Sequence, residues 1–112
     1  MLNRYYNRDG VEIPEDWANT DKHGGKYTDS SSTDYRVAAT DIGGVFVSTV
    51  WLGRDHGYGT SLPIIFETMI FGGEWNVECR RYHSELGAVR GHIEAVDRLH
   101  DGKPPFKHLD GN

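Results

Sequence analysis

With 112 residues, 37% of them hydrophobic and 26% charged, the chain has room for one domain built on a single sheet-and-helix core. No apolar run approaches the ~20 residues of a membrane span, and a net charge of −5 does not favour a nucleic-acid backbone as partner. Cys79 is the only cysteine, which excludes an intramolecular disulfide and a cysteine-based zinc site.

The opening MLNRYYNRDG has no continuous apolar stretch of the signal-peptide kind, so the expected location is cytoplasmic, in the organism itself or in a host cell. Tyr5-Tyr6, an Asp9-Gly10 turn and the alternating Val11-Glu12-Ile13 predict a hairpin. Pro14-Glu15-Asp16-Trp17 reads as a short helical turn, with proline at its first position and acids at the positive end of the dipole. From Asn19 to Asp34 nothing is periodic, and a flexible, solvated loop is expected over about 19–34.

Regular structure resumes at Tyr35-Arg36-Val37-Ala38-Ala39-Thr40. Gly43-Gly44 then turns the chain into Val45–Leu52, and the close spacing implies antiparallel pairing. Val45, Val47, Thr49 and Trp51 share one face of that strand; Phe46, Ser48, Val50 and Leu52 share the other. With both faces largely apolar, the strand is either covered on both sides or covered on one and used for association on the other. Ile64–Phe71 is the third long strand, with Glu67 the odd member of an apolar row. Trp75 to Arg81 is expected to cross back as a final strand.

The last element is the clearest. Ser84 caps a helix in which Leu86, Val89, Ile93, Val96 and Leu99 repeat at spacings of three and four, ending near Asp101-Gly102. That stripe is expected to lie on the sheet. Gly87 and Gly91, four apart, allow a close approach from a strand, Trp51 or Trp75. The architecture predicted is α+β, an antiparallel sheet of four to five strands with one C-terminal helix packed on a face. Residues 1–102 form the single domain, and 103–112 read as a tail with little structure of its own.

VSTVWLG, then Asp55-His56-Gly57, then Ile65-Phe66-Glu67-Thr68-Met69-Ile70-Phe71-Gly72-Gly73 resembles a group of short proteins from bacteriophages, prophages and some actinobacterial genomes. The Asp9-Gly10 turn with Ile13 and Trp17, and Arg81-Tyr82-His83-Ser84 running into Gly91-His92, extend the resemblance to roughly residues 5–99. The chain departs from the group at Arg54, where a small apolar residue is usual, and in Gly57-Tyr58-Gly59-Thr60-Ser61-Leu62-Pro63. The group brings no known activity; the resemblance implies a phage-type source and a small accessory role.

The loop from Gly53 to Leu62 is the expected site, because strand–loop–strand units present polar groups at the edge of a rigid scaffold. Asp55, His56 and Glu67 could form an acid–base or metal-binding set, completed by His83 or His92. Against that, Asp55 can serve only to hold loop amides, and Glu67 can pair with Arg36 or Arg54. No H-E-x-x-H, Walker-type or G-x-S-x-G motif is present, so no catalytic residue, metal ligand or cofactor is assigned. The reading preferred is binding to a host or phage protein, through Trp51, Arg54, Asp55, His56, Tyr58, Glu67 and Trp75, with modulation of a host process or defence system as one such role. The alternatives are a small metal- or ligand-binding domain or enzyme on Asp55, His56 and Glu67, and a homodimer or larger assembly of this chain.

Overall fold

The computed structural model describes residues 4–13, 35–55 and 62–111. The turn expected at Pro14–Trp17, the loop at 19–34, and the site candidates His56 and Tyr58 lie outside the described residues.

The N-terminal hairpin pairs β1 (Tyr5–Tyr6) with β2 (Glu12–Ile13) around the Asp9-Gly10 turn. Asn7 stabilises that turn, its side-chain oxygen accepting from the amides of Asp9 and Val11 at 3.0 and 2.9 Å. The main sheet is an antiparallel meander of β3 (Arg36–Ile42), β4 (Val45–Trp51), β5 (Phe66–Phe71) and β6 (Cys79–Tyr82), in that spatial order. Helix α1 (Glu85–His100) packs across one face of it. The α+β architecture expected from the sequence is thus what the chain adopts. No helix among the described residues is long and apolar enough to cross a membrane.

Gly43 and Gly44 both sit at positive φ, 54° and 96°, as the two-residue turn between β3 and β4 requires. The expected strand from Trp75 starts late. Residues 74–77 form turns, and Val77 takes φ 65°, a conformation that no β-strand can carry. The Val77 amide donates to the Ile70 carbonyl at 2.7 Å, and Asn76 accepts from the Gly72 amide at 2.7 Å, so this segment closes a wide turn and pairing begins only at Cys79.

α1 begins as expected, with Ser84 Oγ accepting from the Gly87 amide at 3.0 Å. Its orientation corrects the sequence expectation. The buried residues are Ala88, Gly91, His92 and Ala95, while Leu86 and Ile93 are 60% and 55% exposed. Val96 and Leu99 lie half-buried at the edge of the contact. The reason is steric: Tyr82 on β6 lies directly beneath the helix, and a Cβ at Gly91 would overlap its ring and hydroxyl. The close approach therefore comes from Tyr82, not from either tryptophan.

Among the described residues the buried side chains form two larger clusters and a small one of Tyr5 and Ile13 in the N-terminal hairpin. Tyr6, Trp51, Ile65, Phe66, Tyr82 and Ala88 fill one end; Val47, Ile70, Ala95 and Phe106 fill the other. The segment 103–112 reads from the sequence as a tail, but its described part, 103–111, is docked: Pro105 and Phe106 are buried, and a short 3-10 turn follows at Lys107–Leu109.

Candidate functional site

The described part of the loop after β4 is held by the N-terminal hairpin. The Tyr6 amide donates to the Gly53 carbonyl at 2.7 Å and the Asp55 amide to the Arg4 carbonyl at 2.9 Å, with Tyr5 bridging Arg54. Asp55 Oδ1 accepts from the Ile64 amide at 2.9 Å, clasping the loop across its neck. That is a scaffolding use of the carboxylate. Arg54 is exposed beside it.

The remaining candidates lie elsewhere. Trp51 is 5% exposed, and its indole donates to the Tyr6 carbonyl at 3.1 Å. Trp75 is half-buried against the Val47, Ile70, Ala95 and Phe106 cluster. Glu67 projects from the sheet face opposite α1 and accepts from Arg81 Nε at 2.9 Å, so its partner is neither Arg36 nor Arg54. His83 Nδ1 lies 3.0 Å from the Pro63 carbonyl, and His92 is sealed under the helix. Among the described residues no three His, Cys, Asp or Glu side chains are grouped to hold a metal.

His92 belongs to a buried polar row. Its Nε2 lies 2.8 Å from Thr40 Oγ1 and its Nδ1 2.7 Å from Thr49 Oγ1, which in turn meets Thr68 Oγ1 at 2.5 Å. Hydroxyls can donate to either ring nitrogen or accept from it, so a neutral imidazole is fully satisfied. Burial lowers the His92 pKa below its ordinary value, which keeps the ring neutral. Tyr82 ends the row with its pKa raised by burial; its hydroxyl makes no hydrogen bond of ordinary geometry, although Thr68 lies close enough to influence its ionisation. Thr49 and Thr68 are wholly buried, so this row works as packing, out of reach of a substrate.

The surface best suited to recognition is the face of the sheet turned away from α1. Strand register arranges it in three rows: Arg36, Val50, Glu67 and Arg81; then Ala39, Ser48, Met69 and Cys79; then Asp41, Phe46 and Phe71. At one end the rings of Phe46 and Phe71 meet at 6.5 Å, tilted by 41°, and Phe71 is 44% exposed. The Arg36 guanidinium lies 5.6 Å from the Tyr35 ring centre and 5.8 Å from that of Phe46, and it donates to the Tyr35 hydroxyl at 3.1 Å. Arginine stacked on aromatics, with an exposed phenylalanine alongside, is typical anchor chemistry of protein interfaces. Cys79 sits half-buried on this face with its thiol pKa raised, by burial first and then by Glu67, so it stays protonated at neutral pH.

Sequence reasoning missed Arg36, Phe46 and Phe71 as a group. The available signal was the apolar second face of Val45–Leu52; what it lacked was the register that sets Phe46 opposite Phe71. Comparison with protein-family models, curated proteins and solved structures gave no match.

Proposed function

We propose that this chain works by binding another protein, with the exposed end of the sheet face turned away from α1 as its docking surface and Arg36, Phe46 and Phe71 as the anchor; further along that face Ser48 and Glu67 are buried. The observation that carries this reading is the stacking of Arg36 over Tyr35 and Phe46 next to the exposed Phe71 ring. Among the described residues Arg36 is held by aromatic faces and one hydrogen bond to the Tyr35 hydroxyl, with no carboxylate ion pair, so its remaining donors can serve a partner. At the opposite end Arg81, its side chain 45% exposed and held by the buried Glu67, supplies a polar rim. The source and setting we propose follow the sequence resemblance: a phage-type accessory protein acting in the host cytoplasm, with a host process or defence system as target.

The experiment is affinity capture from bacterial lysate with the tagged full chain, read by mass spectrometry beside Phe71→Glu, Arg36→Glu and Asp55→Ala variants. The expected result is one partner captured near stoichiometry, lost with Phe71→Glu and Arg36→Glu and retained with Asp55→Ala. Equal capture by the two open-face variants, with loss only in Asp55→Ala, would move the interface to the loop and overturn this assignment.

A further inference from the structure

The outward face of α1 carries Leu86, Val89 and Ile93, which are 60%, 36% and 55% exposed. Their spacing of three and four is that of a helix-pairing seam, and half-buried Val96 continues it. This surface lies on the opposite side of the molecule from the open sheet face and is independent of it.

The charges along α1 say which partner fits. Glu85 accepts from Arg8 at 2.8 Å, Glu94 faces Arg80 and Lys107 at 3.8 Å each, and Arg98 is paired with Asp110. Arg90 and Asp97 are exposed, and neither has an ion-pair partner among the described residues. They stand seven residues apart, two helical turns or about 10 Å, and so lie one above the other on the same flank of the apolar seam. A second α1 laid antiparallel across the seam, with a two-fold axis between Ile93 and Glu94, exchanges the two positions. Arg90 of each copy then meets Asp97 of the other, while Ile93 packs near the axis. Isologous contacts of this kind form every pair twice.

We propose that α1 is a self-association surface on which a second copy of this chain docks antiparallel, with the Leu86, Val89 and Ile93 seam flanked by two symmetric Arg90–Asp97 pairs. The exposed apolar row is three side chains, Leu86, Val89 and Ile93, against the roughly 20–30 residues a side of a standard interface. The dimer is therefore weak, reversible and dependent on concentration and salt.

Sedimentation equilibrium of the purified full chain, from micromolar to millimolar at low salt, tests it. The expected result is a mass-average that climbs toward twice the monomer value for the wild type. Arg90→Asp and Asp97→Arg each set like charges face to face and stay monomeric alone, yet an equimolar mixture of the two recovers the dimer. Ile93→Glu stays monomeric in every mixture. All three changes are at exposed positions, so circular dichroism should match the wild type. A wild type that stays monomeric at millimolar concentration would overturn the proposal and leave the seam to a different protein. Association that survives both charge variants and Ile93→Glu but is lost with Phe71→Glu would overturn it too, placing the dimer on the sheet. The first outcome leaves capture of a partner by the sheet face untouched, whereas the second would make that face a self-association surface.

Discussion

Gly91 shows how one missing side chain positions the helix. Tyr82 rises from β6 under α1, and its ring occupies the space that a Cβ at Gly91 would need. Glycine inside a helix costs roughly 1 kcal/mol relative to alanine, so on propensity alone Gly91→Ala should stabilise the protein. Packing reverses the sign. The added methyl must push either the helix or the Tyr82 ring aside, and such overpacking costs about 1–3 kcal/mol. Gly91→Ala is therefore expected to lower the urea midpoint with an unchanged slope, as a loss of native packing does. Gly87→Ala is the matched control: its Cβ would stand 3.2 Å from Ser84 Oγ and 3.9 Å from Tyr82 Cβ, a far milder crowding. If Gly91→Ala were as stable as the Gly87 variant, Tyr82 could not lie where the packing puts it.

The helix as an element was half legible. Its start at Ser84 and its end near Asp101 follow from capping chemistry, and both are where the sequence puts them. Its inward face was not legible, because hydrophobicity ranks Leu86, Val89 and Ile93 above Ala88, Gly91 and Ala95. What selects the face is clearance above Tyr82 and the hydrogen bonds of His92, neither of which has a periodic signature. His92 also makes helix docking sensitive to pH. The neutral ring is satisfied by Thr40 and Thr49, and burial holds its pKa below the ordinary value of 6.5. The unfolded chain takes up a proton as pH falls through that value, and the folded chain resists doing so. The stability is thus fully present above about pH 6.5 and is lost as the pH falls further. The denaturation midpoint should fall between about pH 7 and pH 5, and His92→Gln should flatten that slope. An equal slope in the variant would assign the effect to other groups.

At the scale of the whole molecule, the meander was readable because β4 and β5 are long apolar runs and the turns that bound them carry glycine, whereas the start of β6 was not. The site was less readable. Glu67 was recognisable as an exception in its apolar row, but its partner Arg81 depends on β5–β6 register. The last residues were misjudged for a related reason: Pro104-Pro105 marks a break in local structure, and nothing local tells that Phe106 reaches the core. Phe106 is 2% exposed and packs with Val47, Ile70 and Ala95 at the end of the sheet that the N-terminal hairpin does not cover. Arg98 fastens this segment, Nε donating to the Pro104 carbonyl at 2.7 Å and Nη2 to Asp110, while His108 stacks on the Phe106 ring at 5.7 Å. The segment therefore closes the second cluster. Removing a buried phenylalanine costs about 3–5 kcal/mol, a large share of the roughly 5–15 kcal/mol that holds a domain folded. Phe106→Ala should accordingly drop the melting temperature by well over 10 °C, at several degrees per kcal/mol for a domain of this size. Phe106→Leu, which keeps most of the volume, should recover the greater part of it. Cutting the chain after Gly102 should be at least as damaging as Phe106→Ala, because Pro105 and the Arg98 contacts go with it. If the truncated chain melted with the wild type, the second cluster would have to close without Phe106, and Val47, Ile70 and Ala95 would be left against solvent.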